Sequence, residues 1–353
     1  MKKKRVLVAL SGGVDSAVSA ALLQKQGYEV SGVFIRTWHP DFLPCTWRED
    51  RREAMRAAAH LDIPFTTLDL EERYKSEVAQ AFIDGYAKGE TPNPDVLCNK
   101  EIKFGGLAEY AKEKGFDFLA TGHYAAIQIT PTGAHLHAGV DPEKDQSYFL
   151  WMIPQRILES VLFPLGALHK TDVRILAEKF GLPNARRRDS QGICFLGAVE
   201  LPEFLGRFIP LREGKVLTKL GVHIGTHRGS ALYTVGQRHG FVITAPMQEG
   251  EPLYVLSTDI AQNTIVVGRK EDIPHARTLF LREVNYIGES DETSGEVQVR
   301  YHGVHIAGKI AEKNKDTAQI ILDVPVYVAR GQSVIILNGT RILFGGILAS
   351  FEE

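Results

Sequence analysis

Apolar positions in the first third of the chain alternate between two patterns. Short unbroken runs suit strands buried on both faces: Arg5-Val-Leu-Val-Ala-Leu10, Val30 to Ile35, Phe65 to Leu70 and Phe116 to Ala120. Between them, apolar residues recur at helical spacing. A helix is predicted from Asp15 until Gly27, and others over Glu49 to Leu61, Tyr74 to Tyr86 and Ile102 to Lys114. This βαβα order predicts a parallel sheet with helices on both faces. Trp151 to Phe180 reads as further helix, with a clear one from Asp172, and Arg186 to Gly197 as a loop. Beyond about Gly214 the period shortens to two. Alternating runs separated by Gly, Asn and Asp predict strands at Ala231–Val235, Leu253–Ser257, Thr264–Val267, Glu296–Tyr301, His305–Ile310, Gln319–Leu322, Ser333–Leu337 and Ile342–Leu348. The second half is thus expected to be all-β, as two small barrels.

A chain of 353 residues exceeds one ordinary core, so two or three domains are expected. With 44% hydrophobic and 24% charged residues it can build sizeable cores. No apolar run is long enough for a membrane span. The basic start, Met1-Lys-Lys-Lys-Arg5, is followed by too short an apolar stretch for an export signal. Cys45, Cys98 and Cys194 are odd in number and far apart, which excludes a disulfide scaffold and a C-x-x-C zinc site. A reducing cytoplasm is the expected home. Net charge is −2, but Lys144 to Arg238 holds 14 basic against 8 acidic side chains. Such a basic middle is either a nucleic-acid footprint or scattered solvated charge.

Ser11-Gly-Gly-Val-Asp-Ser16 lies between the first strand and the first helix. Two glycines let backbone N–H groups turn toward an anion, and the helix start adds a positive dipole end. Ser11 and Ser16 offer hydroxyls, and Asp15 is a candidate to reach a magnesium ion on phosphates. The loop is neither a Walker A sequence nor a dinucleotide G-x-G-x-x-G. A second run, Gly89 to Phe104, contains TPNPDVLCNKEIKF. Its prolines fix the approach to Cys98, which is expected near a helix N-terminus beside Lys100 and Lys103, an arrangement that favours thiolate. Asp95 is a candidate proton carrier. A third run, Arg186-Arg-Arg-Asp-Ser-Gln-Gly-Ile-Cys-Phe195, places Cys194 after a glycine and an arginine cluster. Arg186 to Arg188 are expected to face nucleic-acid phosphates rather than bulk solvent.

The first segment resembles the PP-loop of ATP pyrophosphatases. Together the runs resemble the bacterial-type tRNA-specific 2-thiouridylases over nearly the whole chain. The resemblance rests on SGGVDS at Ser11, TPNPDVLCNKEIKF at Thr91, ATGHYA at Ala120, KDQSYFL at Lys144, DSQGICF at Asp189 and YTVGQRHGF at Tyr233, with RY at Arg300 and GQSV at Gly331. It implies an α/β PP-loop domain with a parallel sheet (1–205), a small β-rich central domain (206–275) and a C-terminal β-barrel contacting tRNA (276–353). ATP, with Mg2+, would adenylate the C2 oxygen of the wobble uridine in tRNA of the Lys, Glu and Gln type. The cysteine matching Cys194 would carry a persulfide from a sulfur-relay protein or cysteine desulfurase. The one matching Cys98 would release the sulfur, leaving a Cys98–Cys194 disulfide.

Residue by residue, the resemblance assigns Ala9, Leu10, Ser11, Gly12, Gly13, Val14, Asp15 and Ser16 to the phosphates, and Ile35 and Gly122 to adenosine. Asn93, Pro94 and Asp95 match the strip facing the target base. His123, Lys144, Asp145, Gln146, Arg300, Tyr301 and Gln332 match tRNA contacts. The chain departs from the family at Ile35 (usually methionine), Arg36 to Trp47, Arg330 (usually proline) and Leu343 to Ile347.

Outside these matches, Cys45 reads as structural. His135 and His137 read as one exposed strand face rather than a metal pair, and His223 and His227 lack a third ligand. Two rival functions remain at this level. A PP-loop ligase of a small metabolite would need neither paired cysteines nor a β-rich tail. A non-catalytic RNA binder would not release pyrophosphate.

Overall fold

A computed structural model describes residues 3–43, 47–189, 200–245 and 252–353. Cys45 and Cys194 lie outside the described residues. The first sheet has the order β3-β2-β1-β4-β7 and is parallel throughout: β1 (Arg5–Ala9), β2 (Glu29–Arg36), β3 (Phe65–Asp69), β4 (Phe118–Ala120) and β7 (Val161–Leu162). Val6, Leu7 and Val8 are at most 1% exposed, which is why β1 shows no alternation. The strand order turns at β1, with β2 on one side and β4 on the other. Open α/β sheets bind ligands at such a point, beyond the carboxyl ends of the strands. Helices α1 (Val14–Lys25) and α2 (Trp47–His60) pack on this sheet.

The central sheet has the order β10-β9-β8-β12-β11: β8 (Gly214–Thr218), β9 (His223–His227), β10 (Phe241–Ile243), β11 (Tyr254–Asp259) and β12 (Thr264–Gly268). The last sheet closes on itself. Strands β13 (Ala276–Tyr286), β16 (Thr317–Val326), β15 (Ile306–Lys313), β14 (Ser294–Gln298), β17 (Ser333–Asn338) and β18 (Arg341–Glu352) follow one another, and β18 pairs back onto β13. This six-stranded barrel has its own core of Leu279, Ile320, Val334, Ile336 and Leu348.

Three expectations need correction. Ala231 to Val235 is not a strand; Ser230–Leu232 forms a 3₁₀ turn after Gly229, whose φ of +138° breaks extended pairing. The helix predicted from Ile102 begins eight residues earlier. Asn93 caps it, its Oδ1 accepting from the amides of Asp95 (3.1 Å) and Val96 (3.3 Å), and Pro94 takes the first turn. Such a cap is worth about 1 kcal/mol, and proline at the first helical position loses no hydrogen bond. Cys98 therefore ends a helical segment, Pro94–Cys98, that continues as a π-helical run, Asn99–Gly106. Third, His135 and His137 do not form an exposed face. His135, on β6 (Gly133–Ala138), is 4% exposed and hydrogen-bonds the Thr130 and Thr132 hydroxyls. The cause is the hairpin partner β5 (Ala125–Thr130) on one side and barrel strand β18 on the other, joined to β6 at Arg341↔His137.

The barrel is fastened to the first sheet's domain by more than that seam. Trp151 is fully buried against Gly345, where a Cβ would stand 2.5 Å from the indole. Asn285 donates to the Trp151 and Ile153 carbonyls, and the Tyr148 hydroxyl donates to that of Ser333. Of the glycines in the divergent Leu343 to Ile347 stretch, Gly345 is explained by this approach and Gly346 by another, a Cβ there standing 2.9 Å from Leu281.

Candidate active site

Between the carboxyl ends of β1 and β4 opens a cleft. Ala9, Leu10, Ser11, Asp15 and Ser16 line it from the phosphate loop, Val33, Phe34 and Ile35 from β2, and Thr121, Gly122 and His123 from the end of β4. Lys103 and Gln146 complete it. The loop is closed by its own hydroxyls. Ser16 Oγ accepts from the Ser11 amide and donates to the Gly13 carbonyl, and Ser11 Oγ accepts from the Gly13 amide. Gly12 has φ +82°, and a Cβ there would meet the Asp50 carbonyl oxygen at 2.4 Å. Gly122 is needed for a different reason: a Cβ would stand 2.9 Å from the Ser16 amide nitrogen, at the mouth of α1. Backbone amides at a helix N-terminus suit phosphates, and the β2 wall suits an apolar ring face.

Beneath the loop lies a charged network that sequence reasoning missed. Lys170, 13% exposed, donates to both Asp15 oxygens at 2.6 and 2.8 Å and lies 2.9 Å from Asp189. The Tyr124 hydroxyl donates to Asp15 at 2.9 Å. Asp189 also pairs with Lys144 at 3.0 Å and with Arg174. Burial raises the Asp189 pKa, but hydrogen bonds from Lys170 and Lys144 outweigh it and bring it down to about 2. Desolvation, then the charge of Asp15, pushes the Tyr124 phenol far above its ordinary value, so it stays a donor.

Arg187 does not face outward as expected of the arginine cluster. It donates to the Gly12 carbonyl at 3.0 Å and pairs with Asp50 at 2.5 Å, while Asn184 donates to the Gly12 and Gly13 carbonyls. The signal available in sequence was a loop rich in Arg and Asn before Asp189. Nothing there told an inward arginine from an outward one.

His123 is buried beside Lys103. Its Nδ1 lies 2.7 Å from Thr121 Oγ1 and its Nε2 3.3 Å from Lys103 Nζ. Burial, then the Lys103 charge, lowers its pKa well below the ordinary 6.5. The imidazole is therefore neutral at pH 7. An ammonium can only donate, so Nε2 accepts and Nδ1–H donates to Thr121. A buried neutral histidine favours the unfolded, protonated chain once pH falls below its unfolded pKa of about 6.5. Stability is expected to be complete above that value and to fall as pH drops toward the lower folded pKa. His135, His137 and His227 are lowered by burial in the same direction. Urea melts of His123→Gln at pH 7.5 and 5.5 should show a smaller loss on acidification than wild type. An unchanged loss would contradict this placement.

The remaining site residues fall into two groups. Asp145 accepts from the Gly139 and Ser147 amides and the Ser147 hydroxyl, and Gln146 accepts from the Tyr124 amide. Gln332 donates to the Thr91 carbonyl at 2.9 Å. These side chains, with Lys144, hold the protein together. Arg300 and Tyr301 are instead exposed, the Tyr301 ring 4.5 Å from that of Phe149. Cys98 is 0% exposed in the main apolar cluster, so the dipole argument for its thiolate loses its footing. Asn93 Oδ1 serves as the helix cap, and Asp95 stands in the first turn after it.

Magnesium was expected at Asp15. A carboxylate already facing an ammonium and a phenol donor is a poor ligand for a dication, so Asp15 does not fit that role. Among the described residues no group of three His, Cys, Asp or Glu could hold a metal ion, and no helix is long and apolar enough to cross a membrane.

Three family models match in series. They describe a tRNA methyl transferase HUP domain (residues 4–198), a tRNA methyl transferase PRC-barrel domain (202–269) and an aminomethyltransferase beta-barrel domain (276–348). The chain is 39% identical to a tRNA-specific 2-thiouridylase of Akkermansia muciniphila, covering 99% of each chain. It is 39% identical to that of Lactiplantibacillus plantarum over 98% of this chain and 95% of the relative. A solved 4-thiouridine synthetase–RNA complex with bound ATP is similar at 18% identity and a TM-score of 0.35, over 59% of this chain and 50% of that one, a likeness too slight to weigh.

Proposed function

The chain belongs to the tRNA-specific 2-thiouridylase family, and from that premise we propose that it replaces the C2 oxygen of the tRNA wobble uridine by sulfur, using ATP. The target set is tRNA of the Lys, Glu and Gln type. The observation that carries this reading is one cleft shared by the phosphate loop and Lys103, which follows Cys98 on a single helical run. The matching family models are described as methyl transferases, but methyl transfer from a sulfonium donor needs no phosphate loop, whereas adenylation does. We take the chain as three units divided near residues 205 and 275.

A uridine C2 carbonyl has no leaving group. In the first step its oxygen bonds to the α-phosphorus, the bond to the β-phosphate breaks, pyrophosphate leaves and N3 loses its proton. Asp95, on the strip with Asn93 and Pro94, is the proton acceptor. The terminal sulfur of a Cys194 persulfide then attacks C2, and AMP leaves. The Cys98 thiolate attacks Cys194 Sγ, the S–S bond breaks, and sulfur remains on C2 while N3 regains a proton. A Cys98–Cys194 disulfide results, which an external thiol reduces. A sulfur-relay protein or cysteine desulfurase supplies the persulfide sulfur. Water must be kept from the adenylated base, since hydroxide would regenerate uridine. Magnesium enters with the ATP phosphates rather than on Asp15. Arg300 and Tyr301, the exposed pair, are the tRNA contacts of the barrel. His123, Lys144, Asp145, Gln146 and Gln332 support the cleft and strip from within.

Purified chain with tRNA, ATP, magnesium and a persulfide source should give one AMP per 2-thiouridine, read by mass spectrometry of nucleosides. AMP formation that ignores tRNA would point to a small-molecule ligase instead. Asp15→Ala and Ser11→Ala are expected to lower pyrophosphate release by about 100-fold or more. Asp15→Ala does so by freeing Lys170 and Tyr124, Ser11→Ala by opening the loop. Wild-type rates in both would remove the phosphate loop from the mechanism.

A further inference from the structure

We propose that Lys103 is a catalytic residue of the adenylation step, its ammonium contacting the α-phosphate as the uridine oxygen attacks. The inference rests on the adenylation reading and goes beyond it, because the lysine was first noted only as a neighbour of Cys98. An aspartate and a lysine, Asp15 and Lys103, stand among the residues that line the cleft. Asp15 is matched by Lys170 from beneath the loop. Lys103 is the lysine of that lining, and an ammonium on the cleft wall suits a polyanion.

Its place is specific. The loop amides and the start of α1 occupy the end of the cleft suited to the pyrophosphate portion. The Val33 to Ile35 wall suits the adenine. Lys103 enters from a third side, on the helical run that begins at the Asn93–Asp95 strip, and so stands between nucleotide and incoming base. The amine is aimed, since it meets His123 Nε2 at 3.3 Å. The imidazole is itself fixed by Thr121 and boxed by the rings of Phe104 and Phe163, each 5.9 Å away. The π-helical geometry of Asn99–Gly106 belongs to the same device, for wide helical turns recur where a side chain is re-aimed into a site. Charge grows on the phosphoryl oxygens when the uridine oxygen adds. A cation held there in a partly dry cleft stabilises that state more than the ground state.

The test compares Lys103→Ala, Lys103→Arg and wild type in tRNA-dependent pyrophosphate release, with ATP binding measured separately by calorimetry. Lys103→Ala is expected to lose about 100- to 1000-fold in kcat, with ATP affinity changed by less than about tenfold. Lys103→Arg should retain part of the rate. Added methylammonium should restore part of it to Lys103→Ala, which a merely structural role would not allow. A Lys103→Ala kcat within about threefold of wild type, or a higher KM at unchanged kcat, overturns the assignment. If wild type itself releases no pyrophosphate with tRNA, the adenylation reading fails and takes this inference with it.

Discussion

Cys194→Ser is expected to bring thiolation to background, while Cys98→Ser still loads one sulfur and then stops. The two thiols have unlike settings. Cys194 follows by five residues an aspartate, Asp189, that Lys144, Lys170 and Arg174 hold under the phosphate loop. Cys98 is 0% exposed in an apolar cluster with Val96, Ile102 and Phe104. It must be uncovered before it can attack a disulfide, so its step comes last and depends on bound substrate. Iodoacetamide should therefore modify Cys98 slowly in the chain alone and faster with tRNA and ATP present. Cys98 is not among the residues that line the nucleotide cleft, Cys194 is not part of the phosphate loop, and both serine variants should bind ATP as wild type does. Labelled sulfur followed by non-reducing peptide mass spectrometry reads the roles directly. Persulfide on Cys98 in Cys194→Ser, together with normal thiolation, would reverse them. Full activity of both variants would end the cysteine mechanism.

Gly12→Ala is expected to weaken ATP binding by about 100-fold, roughly 3 kcal/mol. Two costs combine. A left-handed backbone with a Cβ costs about 1–2 kcal/mol, and here φ is +82°. The methyl would also stand 2.4 Å from the Asp50 carbonyl oxygen and 2.9 Å from the Arg187 guanidinium. The first is backbone at the start of α2 and cannot swing aside. The loop must move instead, which breaks the Asn184 and Arg187 bonds to the Gly12 carbonyl and turns the amides away from the phosphates. Gly27→Ala separates the two costs. Gly27 has φ +90° with nothing within 4 Å of the added carbon, so it should lower stability while leaving ATP affinity unchanged. Equal affinity for Gly12→Ala and wild type, by calorimetry, would show that the loop does not need its present shape to bind nucleotide.

Much of this architecture was legible in the chain. Unbroken apolar runs announced the parallel strands, and the Ser11 to Ser16 turn announced the cleft, because both signals are local. The elements missed depend on distant partners. Strand β13 is among the longest, yet Ala276 to Tyr286 was not recognised. Its alternation is interrupted near Glu283, where φ is +52° and the register on β18 shifts between Arg282 and Asn285. The Asn93–Pro94 pair is a readable helix cap, although helical spacing becomes evident only after Cys98. Lys170 lies 155 residues from Asp15 and Arg187 175 from Gly12, so nothing near either partner in sequence could reveal the network under the loop. Cys98 shows the converse: lysines close in sequence suggested an electropositive thiol, and the fold buried the sulfur and sent Lys103 to the nucleotide cleft.

The strip that runs up to Cys98 is moored by residues made much later on the ribosome. The Thr91 backbone is held by Arg330 and Gln332, its hydroxyl by Thr234, and Glu90 by Arg282. During synthesis the phosphate loop emerges long before these moorings are written. An interrupted chain ending before the barrel would hold every residue that lines the cleft and lack the anchors of Glu90 and Thr91. The strip is thus anchored by a domain translated long after it, so the mooring of Glu90 and Thr91 waits on the barrel while the phosphate loop does not.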